Sequence, residues 1–368
     1  MKIPKVLANN KWRYLSLIAG FFLFVAPFAL LTRAVLLAIG NSAEATLHTF
    51  CFRMPLDWLF GGRFYALIGS VSAAFILVVV LIAFLAGPIF CGWLCPVGSV
   101  TEALSRAVPI PKKFRFKIKD TKITSGLRYG FLLGFITVAV TVGFRLSPQI
   151  SSICCRYCSA SVMQNLSSAF FGNPAAAEYW HTGSILVLTS WLIIGGLFFA
   201  GGRGWCLFFC PLGAVSNLAH KVGAKLGLYK ITFDKKKCNS CENCQVSCPT
   251  WAIKEDKEID RNLCITCNEC THSCNSAAYN YQRGKSTHTN GGQSTKIGKF
   301  FAFSLATCSI PLSYLLIRPC SGNNCTICPA ATACIIILPS IAGIAIFGKS
   351  FPKLKTRFWK SRINAETP

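Results

Sequence analysis

The sequence predicts an all-α integral membrane protein of six transmembrane helices carrying a small α+β insert. Three observations support that fold class. Six apolar stretches of 18 to 25 residues cover 14–31, 64–88, 126–144, 183–202, 300–317 and 330–348, each long enough to cross ~30 Å of hydrocarbon as a helix. The basic residues alternate by loop: segments 1–13, 106–128, 203–299 and 349–368 are rich in Lys and Arg, and only Arg33, Arg53, Arg63, Arg145, Arg156 and Arg318 lie elsewhere. Under the positive-inside rule this puts both termini and the long loop 203–299 in the cytoplasm. The third observation is a run of eight cysteines inside that loop, which marks a separately folded insert.

Composition agrees with a membrane chain. Of 368 residues 52% are hydrophobic, and the mean hydropathy is +0.47. A net charge of +25 invites a nucleic-acid reading, but its segregation by loop argues for topology, so no nucleic-acid partner is expected. Ionised cysteine ligands would lower that charge. A cleaved signal peptide is not expected, because the first span is long and lacks a small-residue cleavage site.

The insert carries one pattern twice: Cys238, Cys241, Cys244 and Cys248-Pro249, then Cys264, Cys267, Cys270 and Cys274. Spacings of two, two and three, repeated within 37 residues, are those of a bacterial two-cluster ferredoxin, whose fourth cysteine serves the other cluster. Cys238, Cys241, Cys244 and Cys274 are therefore expected to hold one [4Fe–4S] cluster, and Cys264, Cys267, Cys270 and Cys248 a second. Zinc knuckles share the CxxC spacing, but eight cysteines in this order favour iron–sulfur. Asn275 stands where Pro249 follows the equivalent cysteine, which predicts an altered turn beside one cluster. Residues 234–283 also hold seven of the chain's 13 acids, a mixed-charge surface suited either to a soluble redox partner or to solvation alone.

A second repeat lies at the membrane edge. Cys91-Gly-Trp-Leu-Cys95-Pro96-Val-Gly98 and Cys206-Leu-Phe-Phe-Cys210-Pro211-Leu-Gly213 are one phrase, C-x3-C-P-x-G, 115 residues apart. Each closes one up-and-down hairpin, which suggests a parallel repeat about the membrane normal. Cysteines four apart share one helix face, with the proline kinking or ending the helix. Three readings of Cys91, Cys95, Cys206 and Cys210 compete: ligands to a further cluster or metal, a redox-active dithiol, or small packing residues.

The basic-poor side carries its own cysteines. Cys155 and Cys158 form one CxxC beside Cys154, and Cys325 and Cys328 another beyond Cys320. Together they make a candidate four-cysteine site for a cluster or metal on the outer face, or structural disulfides on an oxidising side. Cys308 and Cys334 read as packing residues.

Absences narrow the chemistry. No histidine falls in the middle of an apolar stretch and no CxxCH occurs, so neither haem b nor c-type haem has a seat. No dinucleotide fingerprint or phosphate loop is present, and no residue is assigned a catalytic role. Arg33 and Arg318 read as snorkelling span ends. His48 and His181 are candidates for a quinol or metal-ion site and fit exposed loops equally. Residues 284–299 read as a linker.

Taken together, the paired C-x3-C-P phrases and the twin-cluster insert resemble the NapH/NosR-type membrane ferredoxins, over roughly residues 60–280. The resemblance implies an electron-transfer component of an oxidoreductase system in a prokaryotic inner membrane, between a cytoplasmic or quinone-pool donor and a periplasmic acceptor. Soluble redox proteins, quinone and lipid are the partners it implies. The group also contains copper reductases and maturation proteins, so a cupric reductase and an assembly factor stand as alternatives. The expected organisation is a four-helix membrane part over 1–230, the twin-cluster domain over 231–283, the linker, and a transmembrane hairpin with a basic tail over 300–368.

Overall fold

The computed structural model describes residues 11–25, 27–40, 51–68, 70–108, 115–118, 120–145, 159–172 and 196–284. Most of the span expected at 183–202, the spans at 300–317 and 330–348, nearly all of the linker, and the outer cysteines Cys155, Cys158, Cys325 and Cys328 lie outside those residues.

The N-terminal span is two helices, α1 (Lys11–Phe24) and α2 (Leu30–Ala38). Between them Pro27 has no N–H to continue the ladder, and Ala29 turns into the left-handed region at φ 43°. After α3 (Arg53–Phe60) and α4 (Phe64–Ile68), the second span is likewise interrupted. Ser70 caps α5 (Val71–Ala86) by accepting the Ala73 N–H at 3.2 Å. A short π-helical turn, Phe90–Leu94, leads into α6 (Pro96–Ala107). Asp120 caps α7 (Thr121–Gly143), accepting the Lys122 N–H at 2.8 Å. Helix α8 (Ser159–Phe170) follows, and α9 (Gly204–Phe208) and α10 (Pro211–Lys225) repeat the pattern of the π turn and α6. Helices α5 and α10 pack on each other, as do α3 and α7.

Among the described residues, one helix is long and apolar enough to cross a membrane, Thr121–Gly143; Trp12–Phe24 and Val71–Ala86 are apolar but shorter. Leu15 and Ile18 on α1, and Leu77, Val78, Leu81 and Leu85 on α5, stand exposed. Apolar faces of that extent are unusual on a chain surrounded by water.

The insert is closed by a two-stranded antiparallel sheet, β1 (Tyr229–Phe233) against β2 (Tyr279–Arg283), with Ile231 opposite Tyr281. Between the strands the backbone repeats itself every 26 residues. Ser240 and Thr266 (φ 58° and 52°), Glu242 and Asn268 (61° and 59°), and Trp251 and Ala277 (54° and 50°) all adopt the left-handed conformation at matching positions. One-turn helices α11 (Asn243–Ser247) and α12 (Glu269–Ser273) pack together across the local pseudo-dyad. The Ser247 and Ser273 hydroxyls meet there at 2.7 Å. The altered turn expected at Asn275 does not occur. Ala252 and Ala278 donate their N–H to Cys248 and Cys274 Sγ at the same 3.3 Å, so the fold of the turn does not need the proline.

Candidate iron–sulfur centres

The eight cysteines of the insert separate by burial. Cys264, Cys267 and Cys270 are 7–8% exposed and share a cavity with Cys248. Isoleucines 231, 253, 259 and 265 complete its walls. The other set opens outward: Cys241 is exposed, Cys238 and Cys274 are half-buried, and Cys244 is buried. A core of Trp251, Leu263, Ala278 and Tyr279 packs with cysteines of both sets. The first set thus faces solvent, and the second faces the rest of the chain.

That second set sits directly on the first C-x3-C-P phrase. Cys91, Ile265 and Cys267 form one buried apolar cluster. Trp93 Nε1 donates to the Thr266 carbonyl at 3.1 Å. Gly92, between the two cysteines of the phrase, allows the approach, because a Cβ there would collide with the Ile265 carbonyl and crowd the Cys267 backbone. The second phrase is approached from the other half of the insert. Trp251 Nε1 donates to the Ala200 carbonyl at 2.6 Å. Gly201, at φ 85°, faces the Pro249 backbone where a Cβ has no room. Asn217 on α10 clamps the loop by donating to the Arg261 and Cys264 carbonyls at 2.7 and 2.8 Å.

Within the phrases the backbone differs from the single helix face expected. Cys91 lies in the π turn, whereas Cys95 is the extended N-cap of α6 (φ −65°, ψ 115°) with Pro96 at the first helical position. Cys210 is likewise the N-cap of α10, with Pro211 following. Proline begins the next helix here because its fixed φ and missing N–H suit a helix start. The helix break gives Cys210 Sγ a backbone donor, the Gly213 N–H at 3.3 Å.

The four membrane-edge thiols act on one another electrostatically. Burial, with Cys95, Cys210 and Cys206 adding to it, raises the Cys91 thiol well above its ordinary range. Cys95 is pushed up to about 11 by burial and Cys206, and Cys210 to about 12 by burial, Cys206 and Cys95. Buried thiols that ionise only with help suit a positively charged centre that displaces their protons. These four cysteines form no disulfide with one another.

The comparisons with known proteins address the same segments. The family model described as "4Fe-4S binding domain" matches residues 68–119 and 184–229. It therefore matches twice, once around each C-x3-C-P phrase. The chain is 26% identical over 207 residues to the ferredoxin-type protein NapH of Haemophilus influenzae, covering 54% of this chain and 63% of that one. It is 25% identical over 183 residues to the regulatory protein NosR of Stutzerimonas stutzeri, covering 50% and 22%. Protein NirI of Paracoccus denitrificans is 24% identical over 191 residues, covering 50% and 24%. The chain is similar to the NapH/NosR-type membrane ferredoxins over about half of its length. The matches support an iron–sulfur electron-transfer protein with a [4Fe–4S]-binding domain. The matches span less than two thirds of the length of these three relatives. No solved structure matches.

The residues fit such a group. Soft thiolate donors suit iron–sulfur, four of them share one cavity, and backbone N–H groups point at Cys238, Cys248, Cys274 and Cys210 sulfur. N–H donors of this kind offset the charge of a bound cluster.

The sequence reading missed a set of buried charges around these cysteines. Glu102 on α6 is 1% exposed and pairs with Arg13, Arg203 and Arg106, at 2.7, 2.9 and 2.7 Å. Arg203 Nη1 also donates to the Cys91 carbonyl at 2.7 Å. Arg128 on α7 is buried, donates to the Asn262 carbonyl at 2.9 Å and lies beside Gly213. Burial alone would raise the Glu102 carboxyl, but Arg203, Arg13 and Arg106 hold it far below the usual carboxylate range. One signal was available: Arg128 falls inside the apolar stretch at 126–144, where a charge marks a functional site.

Proposed function

We propose that this ferredoxin carries electrons between a cytoplasmic or quinol donor and an acceptor on the outer face of the membrane. In this reading Cys238, Cys241, Cys244 and Cys274 hold one [4Fe–4S] cluster, and Cys264, Cys267, Cys270 and Cys248 a second. Cys91, Cys95, Cys206 and Cys210 hold a third centre at the membrane edge. Each cluster supplies a one-electron redox centre when bound.

The observation that carries the proposal is the contact of Cys91 with Cys267 and Ile265 in one buried cluster. It supports a polarity in which the exposed Cys241 edge meets a soluble partner and the buried set meets the C-x3-C-P phrases. The chain's own residues keep these groups close and dry: Asn217, Trp93 and Trp251 hold the insert down through backbone carbonyls. The exposed apolar faces of α1 and α5 support seating in lipid with the phrases at its edge. The outer CxxC units, Cys155 with Cys158 and Cys325 with Cys328, are proposed as the exit side.

The test is electron transfer across a bilayer. Protein reconstituted into vesicles is reduced from the insert side, and reduction of an impermeant acceptor on the other side is followed. Cys91→Ser is expected to stop transfer while leaving the insert reducible. Unchanged transfer in that variant overturns the assignment of the membrane-edge site.

A further inference from the structure

One guanidinium joins the two cysteine systems. Arg13, on α1, is fully buried. Its Nη1 donates to Glu269 Oε1 at 2.7 Å and to Glu102 Oε1 at 2.9 Å, and its Nη2 to Glu102 Oε2 at 2.7 Å. Its Nε donates to the carbonyl of Gly92 at 3.0 Å. Glu269 lies between Cys267 and Cys270 in sequence, and Gly92 lies between Cys91 and Cys95. The same side chain therefore reaches the ligand loop of the second cysteine set, the backbone of the first C-x3-C-P phrase and the carboxylate on α6.

We propose that Arg13 and Glu269 are a buried charge pair that sets, in opposite senses, the reduction potential of the centre held by Cys264, Cys267, Cys270 and Cys248. The inference rests on the proposed reading of that set as a cluster site. One-electron reduction adds a negative charge inside a cavity lined by isoleucines and buried cysteines, where charges are poorly screened. A fixed cation at the cavity edge favours the added electron, and a fixed anion opposes it. The charged groups gathered here are Arg13, Glu102, Glu269, Arg203 and Arg106, which leaves one net positive charge beside the site. The solvent-facing set has no such enclosure, with Lys235, Lys236, Lys237 and Glu242 all exposed near it.

Opposite signs separate this role from a structural one. Arg13→Gln and Glu269→Gln break the same 2.7 Å ion pair, so a purely structural pair predicts the same outcome for both. The experiment is an anaerobic potentiometric titration of the full-length protein in detergent, read by low-temperature EPR. The solvent-facing centre serves as internal standard and is assigned by its loss in Cys241→Ser. Arg13→Gln is expected to move the midpoint of the second centre to more negative potential and Glu269→Gln to more positive potential. Arg13→Lys, which keeps the charge, is expected to stay near wild type, and the internal standard not to move. Shifts of the same sign, no shift in either, or loss of the second signal in both overturns the inference. Where Arg13→Gln does not accumulate, the sign of the Glu269→Gln shift decides alone. A wild-type protein showing only one centre overturns the underlying cluster assignment instead.

Discussion

Replacing Glu102 by glutamine removes the anion on which three arginines converge. Arg13 and Arg203 are fully buried, and Arg106 is about a quarter exposed. Removing one partner of a buried ion pair costs about 3–5 kcal/mol, mainly because the opposite charge is left in a poorly solvating place. Arg13 keeps its pair with Glu269, so the strain falls chiefly on Arg203, whose other hydrogen bond holds the Cys91 carbonyl. A loss of that size lowers the melting temperature by on the order of 10 °C for a chain of this class. The assay is thermal unfolding in detergent, with Lys257→Gln as comparison. Lys257 pairs at 3.3 Å with a largely exposed Glu242, a contact worth about 0–1 kcal/mol. The sign of the pH dependence follows from the same site. The folded-state pKa of Glu102 is depressed, so its stabilisation is fully present above the unfolded value of ~4.3 and is lost as pH falls below it. Wild type should lose stability on acidification below about pH 4 more steeply than Glu102→Gln. Equal melting temperatures for Glu102→Gln and Lys257→Gln would refute the reasoning.

Three further outcomes are expected. Gly92→Ala forces a Cβ into the Ile265 carbonyl, so hydrogen exchange at residues 264–268 should rise while the β1–β2 sheet stays protected; unchanged protection at that loop contradicts the close approach. Trp251→Phe removes the indole donor to Ala200 and should cost roughly 1 kcal/mol while leaving the iron content unchanged; loss of iron would mean that the ring, not its N–H, is the part that matters. Because Cys241 is exposed and Cys264, Cys267 and Cys270 are buried, an iron chelator should strip about four irons first and a further share slowly; a single phase contradicts the polarity of the two sets.

The cysteine patterns were legible because ligand spacing is local: the offsets within 238–274 dictate the repeated left-handed turns at Ser240 and Thr266. The duplicated phrase was legible for the same reason, and one family model matches both copies. Its backbone was misread, because a proline after a helical stretch marks equally well the end of one helix and the first residue of the next. The structure takes the second form at Pro96 and Pro211. The interruptions at Pro27 and Ser70 were hidden by hydropathy, which registers apolar length and not backbone breaks. The buried charges were invisible for a different reason. Arg13, Glu102, Arg203 and Glu269 lie up to 256 positions apart, and the two arginines sit in segments whose charge was already explained by topology. Arg13, Glu102 and Arg203 meet where α1, α6 and the second phrase pack together, and docking of the insert adds Glu269.

The central claim is that Cys91, Cys95, Cys206 and Cys210 hold an iron–sulfur centre beside the twin-cluster insert. Iron and acid-labile sulfide per chain, measured on anaerobically purified wild type and on Cys91→Ser/Cys206→Ser, test it most directly. The account predicts that the double variant loses about four irons and four sulfides while keeping the about eight that belong to the insert. Equal iron and sulfide in the two proteins would contradict it.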